Sequence, residues 1–173
     1  MLNRSILPTP LGALVLVHDE DGVLWAAEFH DDPARIEASL ARFAAGEMIE
    51  ADVPVPPHLE EAFLGYFRGE FDCFDDIMTG RFGTPFERAV WAALRAIPPG
   101  ETRSYSAIAA LLGDVGKARA VGMANARNPL AIIIPCHRVI GADESLTGYA
   151  GGLERKEWLL RHEGWRPSQG RLL

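Results

Sequence analysis

Cysteine is scarce in this chain, with only Cys73 and Cys136 among 173 residues. Two cysteines exclude a disulfide scaffold and are too few for a structural zinc site unless several histidines join them. Long apolar runs are also lacking: no segment approaches the roughly 18 apolar residues of a membrane helix, and the N-terminus shows no signal-peptide pattern. We therefore expect reduced thiols, no membrane association and a cytoplasmic protein, or a nuclear one in a cell with a nucleus.

Basic side chains are few in the first 80 residues, where four arginines face sixteen carboxylates and the net charge is −12. Residues 81–173 reverse this balance, with 13 basic and eight acidic side chains and a net charge of +5. The asymmetry predicts two domains, 1–80 and 81–173, of which the second is suited to meet phosphates. In the alternative interpretation, the acidic half only keeps the protein soluble.

The first 80 residues alternate strand-like and helix-like patterns, which predicts a mixed α/β domain with a small antiparallel sheet. Two apolar runs are joined at residues 19–22 by Asp-Glu-Asp-Gly, a good hairpin turn. Cys73 lies among aspartates, whose negative charge disfavours a thiolate, so we expect it to be inert. The predicted elements are strands over 14–18, 23–29 and 71–77 and helices over 32–45 and 59–67.

The second half is predicted to be mostly helical, which makes the chain α+β overall. Thr84 and Glu87 form a capping box around Pro85, and the helix that they open continues to Ile97. Two shorter helices, over 105–112 and 117–127, flank a glycine-containing turn and are a helix-turn-helix candidate. Any helical bundle contains such pairs, so this pattern alone does not distinguish DNA binding from ordinary packing.

The second helix of this pair carries small residues four apart. Ala118, Gly122 and Ala126 form a stripe that lets the backbone approach another surface closely, and Arg119 stands beside it. From the stripe alone, packing against a neighbouring helix is the commoner explanation. A nucleic-acid surface is the alternative.

A cysteine, a histidine and an arginine interrupt the apolar run over 132–140, which has the character of a buried strand. His137 and Arg138 place positive charge beside Cys136, and such surroundings favour the thiolate, the form that attacks carbon. Cys136 is therefore a candidate nucleophile. The alternative is a small hydrophobic residue that ends a core strand.

The last predicted helix, over 153–163, places Glu163 on the same stripe as Lys156, Leu159 and Leu160. A carboxylate on an apolar stripe needs a partner, and His137 is a candidate. A plain surface helix end is the alternative. The preceding stretch, 141–152, has glycines around one tyrosine and no helical period, which predicts a functional loop.

Five sequence blocks between Thr84 and Gly164 resemble, in order and spacing, the stand-alone form of the O6-alkylguanine-DNA alkyltransferase family. The blocks are Arg119–Gly122, Asn128-Pro129, Pro135–Val139, Gly148–Gly152 and Lys156–Gly164. The resemblance implies DNA repair by direct damage reversal: an alkyl group leaves O6 of guanine, or O4 of thymine as a second candidate, for Cys136. The product is a thioether without a good leaving group, so each molecule acts once, with no cofactor and no metal.

The resemblance also implies roles around the thiol. His137 would take the thiol proton through a water, Glu163 would orient the imidazole, and Tyr105 would donate to guanine N3. A water is expected because adjacent side chains on a strand point oppositely, which disfavours a direct Cys136–His137 bond. Asn128 would tie the recognition helix to the active-site turn. The pocket residues would be Val139 and Ala150, reading guanine through their backbone, together with Tyr149 and Gly151.

For DNA, the resemblance implies a monomer that binds the minor groove of a duplex and flips the damaged base out. Arg119 would fill the vacated place in the stack. The helix would enter the groove along Ala118 and Gly122, with Lys117, Arg127 and Arg138 as phosphate neighbours.

Three other classes are weighed against this interpretation. Alkylated-DNA-sensing proteins, which bind without transfer, carry tryptophan where this chain has Cys136. A sequence-specific regulator would leave His137 and Glu163 unexplained. A cysteine hydrolase would need an oxyanion-hole sequence, and none is evident.

Overall fold

The computed structural model describes residues 1–29, 31, 33–43 and 46–168, and the chain divides into two compact units. The first unit contains the described residues of Met1–Phe82 together with Pro129–Ala131. The second contains Gly83–Asn128 and the described residues from Ile132 onward. Each unit combines helices with a small sheet, which confirms the α+β class.

The first unit is built on a four-stranded sheet with the order β3-β2-β1-β4. Its central pairs are antiparallel, but β4 runs parallel to β1, so the sheet is mixed rather than antiparallel as predicted. The predicted hairpin turn is confirmed: Asp19 Oδ1 accepts from the amides of Asp21 and Val23, and Gly22 has a φ of 78°. The strands are β1 (Leu2–Thr9), β2 (Gly12–His18), β3 (Leu24–Phe29) and β4 (Ile49–Ala51).

Strand β1 was not predicted, because its buried positions do not alternate and one of them is polar. Leu2, Ser5 and Leu7 are buried along it. Ser5 is accommodated because its hydroxyl forms a 2.9 Å hydrogen bond with Nε2 of His18 on β2. Because a polar residue occupies a buried position, the alternation of apolar residues that predicts a strand is missing here.

Two helices of the first unit, α1 (Pro33–Phe43) and α2 (Pro57–Phe67), occupy the predicted stretches. The ends predicted for α1, Asp32 and Ala45, lie outside the described residues. Ile36 and Leu40 of α1 pack in one buried cluster with Val15 and Val17 of the sheet. This packing, rather than intrinsic propensity, stabilises so short a helix.

The strand predicted over 71–77 is wrong, since the chain forms consecutive turns there. Amides of Asp75 and Ile77 donate to carbonyls three residues back, at Asp72 and Phe74. Phe74 also packs edge-on against Phe63 of α2, with ring centroids 5.1 Å apart. Phe74 is therefore buried by packing of a compact turn on α2 and not by the face of a strand.

Helices α3 (Pro85–Arg95), α4 (Tyr105–Leu111) and α5 (Ala118–Ala126) open the second unit. The predicted capping box is confirmed, with Thr84 and Glu87 bonded reciprocally at the start of α3. A 3-10 turn, Val115–Lys117, joins α4 to α5, and Trp91 Nε1 donates to Ala124 O at 2.9 Å, which ties α3 to α5.

The remaining elements of the second unit are a two-stranded parallel sheet, β5 (Arg103–Ser104) with β6 (Val139–Ile140), and α6 (Leu153–His162). Among the described residues, none of the helices combines the length and apolar character that crossing a bilayer requires.

Candidate functional site

Cys136 begins a one-turn 3-10 helix, Cys136–Arg138, and not the buried strand predicted from its neighbours. The backbone before it is bent: Ile132 has a φ of 73°, a conformation that a β-branched residue rarely adopts. Ile134 O accepts hydrogen bonds from Cys136 N and from Asn128 Nδ2, both at 2.7 Å. Asn128, buried just after α5, therefore holds the turn that presents the thiol.

His137, Arg138 and Glu163 form one buried cluster next to Cys136. His137 Nε2 lies 2.7 Å from Glu163 Oε1. Arg138 donates to the same carboxylate twice, from Nε to Oε2 at 2.8 Å and from Nη2 to Oε1 at 2.9 Å. The stripe on α6 thus carries Glu163 inward, and its surface alternative is wrong.

Arg138 was placed among the phosphate neighbours, and the structure overturns that assignment. Its side chain is 9% exposed and is held by Glu163 and by Ile97 O, to which Nη1 donates. A buried carboxylate needs a compensating positive charge, and Arg138 supplies it. Its guanidinium is therefore not available to a phosphate on the surface.

The protonation states of the cluster follow from burial and charge. Burial lowers the pKa of His137 below its ordinary value, and the nearby cations Arg138 and Lys156 add to this while Glu163 opposes it. Burial alone would raise the pKa of Glu163, but His137 and Arg138 outweigh it and hold that pKa well below its usual range. The cluster at neutral pH is therefore a carboxylate, a guanidinium and a neutral imidazole.

The imidazole has one defined tautomer in this arrangement. A carboxylate only accepts hydrogen bonds, so Nε2 carries the proton and donates it to Glu163. Nδ1 of His137 is buried, and no hydrogen-bond partner for it occurs among the residues that the structure describes. The ring therefore has a lone pair to offer as a base, on the nitrogen that Glu163 does not occupy.

Lys156 belongs to the same site, although its sequence pattern indicated only a place on the α6 stripe. Its side chain is fully buried, and Nζ donates to Val139 O at 2.5 Å and to Thr147 O at 2.7 Å. Burial lowers its pKa to about 8. The ammonium joins strand β6 to the glycine-rich loop before α6, which are the two stretches predicted to line the pocket.

Tyr105 meets this loop at the same carbonyl. Its hydroxyl donates to Thr147 O at 3.3 Å, so Tyr105 and Lys156 converge on one acceptor. Burial raises the pKa of Tyr105, with the neighbouring Cys136 adding to the shift, so the phenol stays protonated at neutral pH. It is a hydrogen-bond donor beside the thiol.

The other predicted pocket residues lie in the loop that leads into α6. Tyr149 is half-buried, Ala150 is exposed, and Gly151 is half-buried with its carbonyl accepting from Arg155 Nη1 at 3.0 Å. Val139 is fully buried on β6. Tyr149 O accepts from Gly152 N at 3.0 Å, so the backbone of this loop is held on both sides of the exposed Ala150.

The residues predicted to meet DNA lie on and beside α5, apart from Arg138. Arg119 is exposed, and Ala118 and Gly122 are half-buried. Lys117 is 55% exposed and 3.8 Å from Asp114, and Arg127 is 49% exposed and 3.4 Å from Glu87. The Lys117–Asp114 pair is exposed on both sides and is weak enough for a phosphate to compete with it, whereas the Glu87 carboxylate that meets Arg127 is buried.

Cys73 provides the contrast to Cys136. Burial raises its pKa to about 11, and the charges of Asp72 and Glu70 add to the shift. The direction of this pKa agrees with the expected disfavoured thiolate, with burial rather than charge as the main cause, and the low reactivity of Cys73 stays a prediction. Within the described ranges, no group of three His, Cys, Asp or Glu side chains is arranged to hold a metal ion.

A family model, related sequences and solved structures all point to the same protein family. Residues 85–165 match the family model described as 6-O-methylguanine DNA methyltransferase, DNA binding domain. The methylated-DNA-protein-cysteine methyltransferase of Salmonella typhimurium is 48% identical over 160 residues, which are 92% of this chain and 94% of that protein.

Solved structures agree. The crystal structure of Mycobacterium tuberculosis O6-methylguanine methyltransferase superposes with a TM-score of 0.77 at 38% identity and covers 98% of this chain and 97% of its own. That of Mycobacterium tuberculosis OGT in complex with DNA has a TM-score of 0.78 at 39% identity, covering 93% and 92%. The chain belongs to the methylated-DNA-protein-cysteine methyltransferase family.

Proposed function

We propose that this chain repairs alkylated DNA by direct reversal, moving the methyl group from O6 of guanine to Sγ of Cys136. The observation that carries the proposal is the buried His137–Glu163 pair directly after the thiol, with the second ring nitrogen available as a base. A cysteine that only fills the core does not require a neutral imidazole oriented by a carboxylate beside it. A nucleophile does.

The reaction is a displacement at carbon. The Cys136 Sγ–C bond forms as the C–O6 bond breaks, and the electron pair of that bond stays with guanine. His137 Nδ1 takes the thiol proton through a bridging water, while Glu163 fixes the ring and stabilises the positive charge that develops on it. Tyr105, which stays protonated, donates to N3 of the leaving base. Asn128 holds the turn on which the thiol sits.

The transfer is stoichiometric. Its product, S-methylcysteine, is a thioether, which has no good leaving group and is not cleaved by a water under these conditions. Each molecule therefore repairs one lesion and is then spent. Cys136, Val139 and Ala150 would read the guanine edge through backbone atoms, with Tyr149 and Gly151 completing the pocket wall.

The protein binds DNA, and we propose that it does so as a monomer in the minor groove through α5. The small residues Ala118 and Gly122 allow the backbone to come close to the groove, and the exposed Arg119 fills the place of the flipped base. Lys117 and Arg127 contact phosphates. Arg138 is removed from that set, since it is committed to Glu163.

The two halves of the chain divide this work in the proposal. Residues 81–173 bind DNA and transfer the alkyl group, whereas residues 1–80 form an acidic domain without a part in the chemistry. Because the substrate is DNA, the proposed compartment is the cytoplasm, or the nucleus of a cell that has one.

The test compares two variants on a duplex with one O6-methylguanine. Cys136→Ala should bind the duplex as tightly as the wild type and transfer no methyl. Arg119→Ala should transfer slowly from the duplex yet react normally with O6-methylguanine as the free base, because only flipping is impaired. Repair by Cys136→Ala would refute the assignment of the nucleophile, and tight binding by the wild type without transfer would favour a lesion-sensing protein.

A further inference from the structure

Arg138 has no part in the mechanism above, yet it makes more hydrogen bonds to Glu163 than His137 does. Nε and Nη2 each donate to one carboxylate oxygen, and Nη1 donates to Ile97 O. Three donors on one planar guanidinium are used within a buried site. Such a fork is geometrically selective, since a lysine ammonium in its place would reach fewer of these acceptors.

Glu163 Oε1 is shared between the two partners. It accepts from His137 Nε2 at 2.7 Å and from Arg138 Nη2 at 2.9 Å. The charge of the carboxylate is therefore already balanced when it meets the imidazole. A carboxylate balanced in this way orients a histidine but raises its basicity less than an unpaired one would.

We propose that Arg138 is a positioning residue of the transfer reaction: by balancing Glu163 it keeps His137 a neutral base, ready to accept the proton of Cys136. The inference rests on the proposed function, because it assigns His137 the part of the base. Without the guanidinium, the negative charge of Glu163 would be less balanced and would favour the imidazolium, which cannot take a proton. Arg138 thus supports the chemistry rather than the contact with DNA.

The charged groups around His137 come from two elements. Glu163 and Lys156 face it from α6 and its end, and Arg138 and Cys136 belong to its own turn. Tyr105 stands by Cys136 and stays protonated. Lys156 acts in the same direction as Arg138 on the imidazole, but it donates to backbone carbonyls and not to Glu163. Of these two cations, Arg138 is the one that donates to the carboxylate itself.

The experiment measures methyl transfer from O6-methylguanine duplex against pH for the wild type, Arg138→Met and Glu163→Gln. The rate should fall on the acid side, where His137 becomes protonated. In Arg138→Met the acid limb should move to higher pH, because Glu163 now favours the imidazolium. In Glu163→Gln it should move to lower pH, because Arg138 now disfavours it. A displacement of the acid limb by one pH unit changes the transfer rate at a fixed pH on that limb roughly tenfold.

Arg138→Lys separates charge from geometry and also serves if Arg138→Met does not fold. Lysine keeps the positive charge but loses the fork, so the limb should stay where the wild type has it while the plateau rate falls. Arg161→Met is the matched control, since it removes an arginine from an exposed pair with Glu157 on α6. It should leave both the limb and the plateau unchanged.

Opposite displacements in the two charge variants would establish the balancing role. Displacement in the same direction, no displacement in Arg138→Met, or a displaced limb in Arg138→Lys would each overturn it. Failure of the proposed function looks different: the wild type itself would transfer no methyl group at any pH.

Discussion

Gly122→Ala separates the two explanations of the small-residue stripe on α5. Gly122 lies inside the helix with an ordinary backbone conformation, so an alanine is not strained there. A Cβ added at this position would lie 3.8 Å from Tyr105 Cδ1 and 3.9 Å from Cε1, which is normal van der Waals contact. None of the residues that the structure describes therefore requires a glycine at residue 122.

The substitution should stabilise the fold and weaken binding to DNA. Alanine in a helix interior is favoured over glycine by about 0.5–1 kcal/mol, so the free energy of unfolding should rise by about that much. On a surface packed against the groove, one added methyl group costs about 1–3 kcal/mol, which corresponds to roughly 5- to 150-fold weaker binding.

The assay combines denaturant unfolding with fluorescence anisotropy on a methylated duplex, the latter in a Cys136→Ala background so that no transfer occurs. Gly65→Ala is the control for the affinity measurement, because it places the same substitution in helix α2 of the first unit, where the added Cβ would lie 2.9 Å from Glu70 Oε2, the movable end of a side chain. It should leave the affinity for the duplex unchanged. Destabilisation by Gly122→Ala would favour helix packing as the reason for the stripe, and unchanged duplex affinity would refute the close approach of α5 to DNA.

Three further perturbations test the surroundings of the thiol. Gly100 has a φ of 80°, and a Cβ there would lie 2.8 Å from Glu163 O, so Gly100→Ala should lower both the denaturation midpoint and the transfer rate; unchanged values would contradict the packing. Cys73, with its pKa raised to about 11, should react with iodoacetamide faster as pH rises toward that value, and Cys73→Ser should transfer as the wild type does. Lys156 has its pKa lowered from 10.5 to about 8, so the unfolded chain binds more protons between these values and stability should rise with pH across that window by roughly 3 kcal/mol. Lys156→Met should lack this rise, and an identical rise in that variant would show that other groups cause it.

The sequence was most informative where local chemistry decides the structure. Thr84 and Glu87 predict the start of α3, because both halves of a capping box lie within four residues of sequence. The position of Glu163 on an apolar stripe indicated a carboxylate in need of a partner, with a surface helix end as the alternative, and the structure shows it buried. Both inferences depend on helical geometry alone, which does not require knowledge of the rest of the fold.

The errors arise where distant contacts decide. The turn at Cys136 depends on Asn128 and on the unusual backbone of Ile132, and neither effect is visible in an apolar run that looks like a strand. Arg138 looked like a surface cation, because its acceptors, Ile97 O and Glu163, lie 41 and 25 residues away in sequence. Lys156 on a leucine stripe was the one available signal for a buried ammonium, and only its two carbonyl acceptors reveal its place in the site.

The measurement that tests the central claim most directly is intact and peptide mass spectrometry after incubation with an excess of O6-methylguanine duplex. The account predicts one added methyl group, located on the peptide that contains Cys136, and saturation at one per protein however much duplex is supplied. A methyl group on Cys73, more than one group per protein, or an unmodified protein bound tightly to the duplex would contradict it.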